Sequence, residues 1–141
     1  MKKYFTFLLT LGLLNNLHAQ TAGDYRSNVT TGNWNVTASW QRFDGAGWVA
    51  APAAPTNADG IISILSGHNI TVSTTVTADQ VVVNAGGTIT ITSTLNLNNG
   101  TGDDLTVNGT LAWQSGTIGA PGNAVIAAAG QTLNLTTSSR I

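Results

Sequence analysis

The chain has 141 residues, a formal net charge of −1 and no cysteine. This length allows one domain, and the lack of cysteine excludes disulfides, thiol chemistry and a lipid-modified cysteine. With only five lysine and arginine residues, the chain offers no basic surface for nucleic acid or anionic lipid, so neither is expected as a partner.

Residues 1–19 have the layout of a secretory signal peptide. Two lysines precede an apolar run over residues 4–14, and a short polar stretch ends at Ala19. The alternative is an uncleaved anchor, but the run is shorter than the ~20 residues that a membrane-spanning helix needs. Cleavage after Ala19 would leave a mature chain that begins at Gln20, carries a net charge of −3 and has no membrane span. The predicted location is therefore secreted or at the cell surface.

Residues 20–60 are predicted to form an N-terminal cap and a linker. The cap is rich in aromatic residues, among them Trp34, Trp40 and Trp48. Asp44-Gly45 separates two short aromatic segments, which predicts a β-hairpin. Residues 50–60 contain two prolines, and because proline cannot donate to a central ladder this segment is predicted to be a linker.

Residues 61–141 repeat one pattern four times: two alternating aliphatic residues, a glycine, and two more alternating apolar residues. The central glycines are Gly67, Gly86, Gly109 and Gly130, at steps of 19, 23 and 21 residues. This period is typical of one coil of a β-solenoid. Glycine at each corner permits a sharp turn with positive φ. The apolar positions of the four copies are Ile62, Ile64, Ile70 and Val72; Val81, Val83, Ile89 and Ile91; Leu105, Val107, Leu111 and Trp113; and Val125, Ala127, Leu133 and Leu135.

The alternation predicts which side chains face the interior, because successive side chains of a strand point to opposite faces. Stacked coils would place equivalent aliphatic residues ~4.8 Å apart in an interior column, with threonines facing outward. One such column is Ile70, Ile89, Leu111 and Leu133, and a less regular third side is formed by Val76, Leu95, Leu97 and Ile118. The pattern favours an all-β parallel β-helix of about four coils. The alternative is an antiparallel sandwich, which also has short strands and frequent turns.

Several motifs carry a resemblance to a known family. They are Gly23-Asp24-Tyr25-Arg26-Ser27, Gly32-Asn33-Trp34, Ser39-Trp40-Gln41, Gly47-Trp48-Val49, Ala54-Pro55, Asp59-Gly60-Ile61 and Ser66-Gly67-His68-Asn69-Ile70-Thr71-Val72. The chain resembles the N-terminal region of large secreted or cell-surface, adhesin-like proteins of gliding-type Gram-negative bacteria. The part from Trp40 to about Trp113 is more loosely similar to the eight-glycine β-rich extracellular domain.

The resemblance to the adhesin-like proteins implies a right-handed parallel β-helix and export, and it assigns no catalytic residue. Members of that family commonly continue to a C-terminal sorting domain of the type IX export pathway. Here the chain stops at Ile141, just after a predicted strand and with nothing like a sorting domain. An uncapped solenoid end would expose unpaired backbone groups. We therefore expect the coils of residues 61–141 to be truncated, as a fragment of a longer product.

Candidate catalytic residues are few. His68 is the only histidine after the predicted signal peptide, and no motif fixes a serine or an acid beside it. Asp103 and Asp104 are adjacent, so in a strand their carboxylates would point apart, whereas glycoside hydrolysis needs two facing carboxylates. We therefore predict that the chain is not an enzyme.

Two ligand sites are considered. Asn99, Asp103 and Asp104 lie in a glycine-rich loop whose oxygen atoms suit calcium, although a solvated turn is the favoured interpretation. No other cofactor is predicted. Trp34, Trp40 and Trp48 could form a sugar-stacking platform; the favoured alternative is that they form the core of the cap.

The predicted function is a non-catalytic structural and interaction segment of an exported surface or adhesin-like protein. Its expected partners are extracellular polysaccharide or other surface proteins. The first alternative is a carbohydrate-binding module or the leading part of a polysaccharide-active β-helix enzyme. The second is an ice-binding protein, because Thr88, Thr110 and Thr132 would form an outward column that Asn69 completes. Threonine is common on strand surfaces, so this column alone is weak support for ice binding.

Overall fold

The computed structural model describes residues 19–98 and 100–119 and the strands Ala124–Ile126 and Thr132–Leu135. The predicted signal peptide, apart from Ala19, lies outside this range. The described part is all-β, with one short 3-10 helix at Thr37–Ser39. Within it, no helix has the length and apolar character needed to cross a membrane.

The strands are short, three or four residues each. In chain order they are β1 Tyr25–Ser27, β2 Thr31–Asn33, β3 Trp40–Phe43, β4 Trp48–Ala50, β5 Ile62–Ile64, β6 Asn69–Val72, β7 Val76–Ala78, β8 Val81–Val83, β9 Thr88–Ile91, β10 Thr94–Leu97, β11 Leu105–Val107, β12 Thr110–Trp113, β13 Thr117–Gly119, β14 Ala124–Ile126 and β15 Thr132–Leu135.

The strands form three sheets, and from β5 onward each sheet takes every third strand. The first sheet has the order β14-β11-β8-β5-β1-β3-β4, the second β15-β12-β9-β6-β2 and the third β13-β10-β7. All pairs between strands β5 to β15 are parallel. Pairing of this kind differs from that of an antiparallel sandwich, the alternative considered above. The predicted all-β class is confirmed.

The hydrophobic core holds side chains from all three sheets, most of them aliphatic, together with Tyr25, Trp34, Trp40 and Trp113. Ile89 pairs in register with Ile70 on one side and Leu111 on the other, as the alternation predicts. These three side chains are buried. Each contributes roughly 1.5–3 kcal/mol by leaving water. In the third sheet, Leu95 lies between Val76 and Ile118, in agreement with the predicted third side.

The N-terminal segment extends the first two sheets. Strands β1 and β2 pair in parallel with β5 and β6, and β3 and β4 then add to the first sheet in antiparallel fashion. The predicted hairpin is present between β3 and β4. At its turn, Asp44 Oδ1 accepts hydrogen bonds from the N–H groups of Ala46 and Gly47, both at 2.8 Å.

The corner glycines are required for two different reasons. Gly67 and Gly86 have φ of +77° and +79°, as expected, and the Gly67 N–H donates to the Gly86 carbonyl at 2.9 Å. Gly109 is not among the glycines with positive φ, so the expectation is wrong for this corner. A Cβ at Gly109 would instead collide with the carbonyl oxygens of Asn84 and Gly87. Gly130 lies outside the described residues.

Candidate functional site

Trp34 and Trp40, two of the three tryptophans of the predicted sugar platform, lie in the core. Each is 1% exposed, and the two rings meet edge to face with centroids 5.0 Å apart. Their polar atoms are satisfied internally: Trp34 Nε1 donates to the Pro55 carbonyl at 3.0 Å, and Trp40 Nε1 donates to the Trp34 carbonyl at 2.7 Å. The three tryptophans therefore do not come together on one exposed surface.

Trp48 is the only one of the three that reaches solvent. It lies at the start of β4, the last strand of the first sheet, and is partly exposed. Its ring contacts Phe43 at a centroid distance of 5.4 Å, and the Arg26 guanidinium carbon lies 4.5 Å from its centroid. Trp48 is thus the aromatic half of a cation–π pair rather than a bare stacking surface.

Arg26 occupies the outward position of β1. Its neighbours in register are Gln41 on β3 and Ser63 on β5. Arg26 Nε donates to Gln41 Oε1 at 2.8 Å, which fixes the guanidinium over Trp48. Within the described part of the chain this arginine has no carboxylate within ion-pair distance.

A shallow cleft of about 170 Å³ lies beside this arginine. Its lining combines the cation with amide, hydroxyl and apolar groups. The lining residues are Gln20, Asp24, Arg26, Trp48, Ile61, Ser63, Leu65 and Asn84. No sequence motif indicates this cleft. Alternation along β1 could have placed Arg26 outward, but its neighbours depend on pairing with distant strands.

Asp24 lines the cleft but is committed to the backbone. Its Oδ2 accepts from the Thr21 N–H at 2.7 Å and its Oδ1 from the Ile61 N–H at 2.9 Å. The residue is only 7% exposed. Asp24 therefore joins the start of the cap to the end of the linker through both of its carboxylate oxygens.

The predicted calcium residues are not brought together. Asn99 lies outside the described residues, Asp103 is exposed and Asp104 is buried. Asp104 instead meets Asp79 of the preceding repeat. Burial, a hydrogen bond between the two side chains and the negative charge of Asp104 raise the pKa of Asp79. No cluster of three or more metal-binding side chains (His, Cys, Asp or Glu) occurs within the residues that the structure describes.

His68 has a serine beside it, which the sequence analysis did not foresee. His68 Nδ1 and Ser27 Oγ are hydrogen-bonded at 2.8 Å, and Ser27 Oγ also accepts from the Leu65 N–H at 2.9 Å. Ser27 is 1% exposed, so a substrate does not reach its hydroxyl. A catalytic serine must contact its substrate. The Ser27–His68 contact therefore secures a corner of the fold.

The predicted threonine column is present in register, and a second polar row lies beside it. Thr88 pairs in register with Asn69 and Thr110, while Thr90 pairs with Thr71 and Ala112. The Thr90 hydroxyl donates to Asn69 Oδ1 at 2.9 Å, so the two rows are linked to each other. The second row is interrupted at Ala112, and its Thr90 is only 7% exposed.

Comparisons of this chain with protein-family models, with curated proteins and with solved structures found no match.

Proposed function

We propose that this chain is a non-catalytic structural and interaction segment of an exported, adhesin-like surface protein. Its body would be a right-handed parallel β-helix of about four coils, begun by the aromatic cap of residues 20–60. The observation that carries the proposal is the use of every third strand by each sheet, with parallel pairing throughout from β5 to β15.

The register supports stacked coils of nearly constant length. Ile62 pairs with Val81, and Val81 pairs with Leu105, so equivalent positions recur after 19 and 24 residues. The longer step includes the loop before β11. A right-handed path follows from the strong preference of parallel crossover connections for that hand.

A structural role fits how these residues are used. The aliphatic side chains fill the interior, and the backbone groups of each strand bond to the strands above and below. The second sheet carries rows of polar side chains in register, of which Thr90 is only 7% exposed. A stack of this kind is a stiff spacer that presents a repetitive surface, because each repeat is fixed by its neighbours.

Engineered disulfides test the architecture, and the natural chain contains no cysteine that would interfere. Val82 and Thr106 are direct partners on β8 and β11. Their Cα atoms should lie about 4.8 Å apart, within the range of about 4.4–6.8 Å that a disulfide needs. The double variant Val82→Cys with Thr106→Cys should therefore oxidise completely and without loss of folding.

The matched control is Val82→Cys with Asn108→Cys, which moves one cysteine two residues along the chain. The separation becomes about 8 Å, too long for a disulfide. Equal oxidation of both pairs would contradict the proposed stacking.

Export is tested separately. The chain expressed in a Gram-negative host should appear outside the cytoplasm with Gln20 as its first residue by mass spectrometry. A chain that stays in the cytoplasm with residues 1–19 still attached would contradict the surface role. The disulfide test of the fold would not be affected by that result.

A further inference from the structure

We propose that the cleft beside Arg26 and Trp48 binds a uronic acid, that is, a carboxylated sugar unit of an extracellular polysaccharide. This inference goes beyond the structural role and does not depend on it. The site differs from the tryptophan platform considered above, because Trp34 and Trp40 are buried.

The guanidinium of Arg26 is arranged to receive a carboxylate. Its Nε is held by Gln41 and its guanidinium carbon lies over the Trp48 ring, so the side chain is ordered before any ligand arrives. The two Nη groups make no hydrogen bond within the described residues. They are the donors that form paired hydrogen bonds with a carboxylate. Preorganisation of this kind lowers the entropic cost of binding.

The remainder of the cleft suits a sugar ring better than a bare acidic side chain. The side chains of Ser63 and Asn84 have no hydrogen-bond partner in the part of the chain that the structure describes, and both line the cleft. They can donate to and accept from ring hydroxyls. Ile61 and Leu65 add an apolar surface for the C–H face of a ring. A volume of about 170 Å³ fits one ring of a longer chain.

Asp24 does not prevent the binding of an anion. Both of its carboxylate oxygens accept backbone N–H groups, at 2.7 and 2.9 Å, and it is 7% exposed. Arg26 is the only cation among the residues that line the cleft.

The test is isothermal titration calorimetry of the purified chain with trigalacturonate. Maltotriose, which is neutral, and triglutamate, which is carboxylated but not a sugar, are the comparison ligands. Trigalacturonate should bind more tightly than either. Arg26→Gln should weaken its binding by about tenfold or more, since a charge-assisted hydrogen bond is lost.

Arg42→Gln is the matched control. It removes the same charge from β3, where Arg42 pairs with Tyr25 and so lies on the other face of the sheet from Gln41. We expect less than about a twofold change for this variant. Equal losses in the two variants would show nonspecific attraction and overturn the proposal.

Ser63→Ala is the second site variant, and it leaves the Arg26–Trp48 pair in place. It should weaken trigalacturonate binding while circular dichroism and the thermal midpoint stay unchanged, so the proposal stays testable if Arg26→Gln fails to fold. Unchanged affinity in Ser63→Ala would overturn the sugar assignment. So would triglutamate binding as tight as trigalacturonate binding, and a failure of trigalacturonate to bind would overturn the whole proposal.

Discussion

At the scale of single residues, the polar side chains that matter most are those buried beside the repeats. Ser27 points into the interior at the end of β1 and bonds to two groups from the corner at residues 65–68. A buried N–H that loses its acceptor retains the full cost of its desolvation. Such residues hold the N-terminal segment against the repeat that follows.

Replacing Ser27 by alanine should therefore destabilise the protein. The Leu65 N–H would lose its acceptor, and we expect a loss of about 1–3 kcal/mol in the free energy of unfolding, measured by urea denaturation. His68→Ala should cost less, because the Leu65 N–H would keep its bond to Ser27. Equal losses in the two variants would contradict this account of the contact.

Asp79 and Asp104 form a second polar contact, in which Asp104 is buried and Asp79 is partly buried. The Oδ1 atom of Asp79 is buried and accepts no N–H or O–H group within the described residues. A hydrogen bond between the two carboxyl groups requires that one of them carry a proton. Burial and the proximity of Asp104 therefore raise the pKa of Asp79 above its usual value of 3.8.

The direction of the pH effect follows from that shift. Because its pKa is higher in the folded state, Asp79 contributes stability that is fully present below its ordinary pKa and lost as the pH rises through the raised value. Asp79→Asn should raise the thermal midpoint near about pH 7, and the difference should vanish near about pH 3. Scanning calorimetry at both pH values measures this.

Asp103→Asn is the control for Asp79→Asn, because Asp103 is exposed and only one residue from Asp104. It should leave the thermal midpoint almost unchanged at neutral pH. A gain equal to that of Asp79→Asn would indicate a general effect of net charge.

At the scale of elements, the tryptophans of the N-terminal segment have two roles, one in the core and one at the surface. Trp34 and Trp40 fill the core beneath the linker, whereas Trp48 lies at the outer edge of the first sheet. The same residue type is therefore structural in one place and accessible in another. The difference arises from position: Trp34 follows β2, Trp40 begins β3 and Trp48 begins the edge strand β4.

Alanine substitution should separate these two uses. Trp40→Ala removes a buried indole and should lower the free energy of unfolding by about 3–5 kcal/mol. Trp48→Ala should cost about half as much or less, since its ring is already partly solvated. Guanidinium denaturation followed by far-ultraviolet circular dichroism measures both. Similar losses would contradict the assignment of Trp40 to the core and Trp48 to the surface.

At the scale of the whole molecule, stability depends on continuity between neighbouring repeats. Ile89 lies between Ile70 and Leu111 and is fully buried. A gap at this position would remove contacts to the repeats on both sides. In the proposed stack of repeats, each weakened interface lowers the stability of the chain.

Ile89→Ala should therefore lower the free energy of unfolding by about 2–5 kcal/mol, through lost burial and the cavity that remains. The control is Val36→Ala, because Val36 is 44% exposed and its substitution should cost little. Urea denaturation of both variants measures the difference. A loss below about 1 kcal/mol in Ile89→Ala would show that the interior collapses to fill the gap.

Some features of this protein follow from local sequence patterns, and others depend on which distant strands pair. The sequence by itself determined which side chains of β6, β9 and β12 face inward, where the corners fall and which threonines share a row, because strand alternation and the repeat period are local properties. The tertiary structure alone decided that Arg26 meets Trp48, that Ser27 meets His68 and that Asp79 meets Asp104. Each of these contacts joins residues more than twenty positions apart. Strand register and turn length decide which of them meet, and no local sequence pattern specifies either.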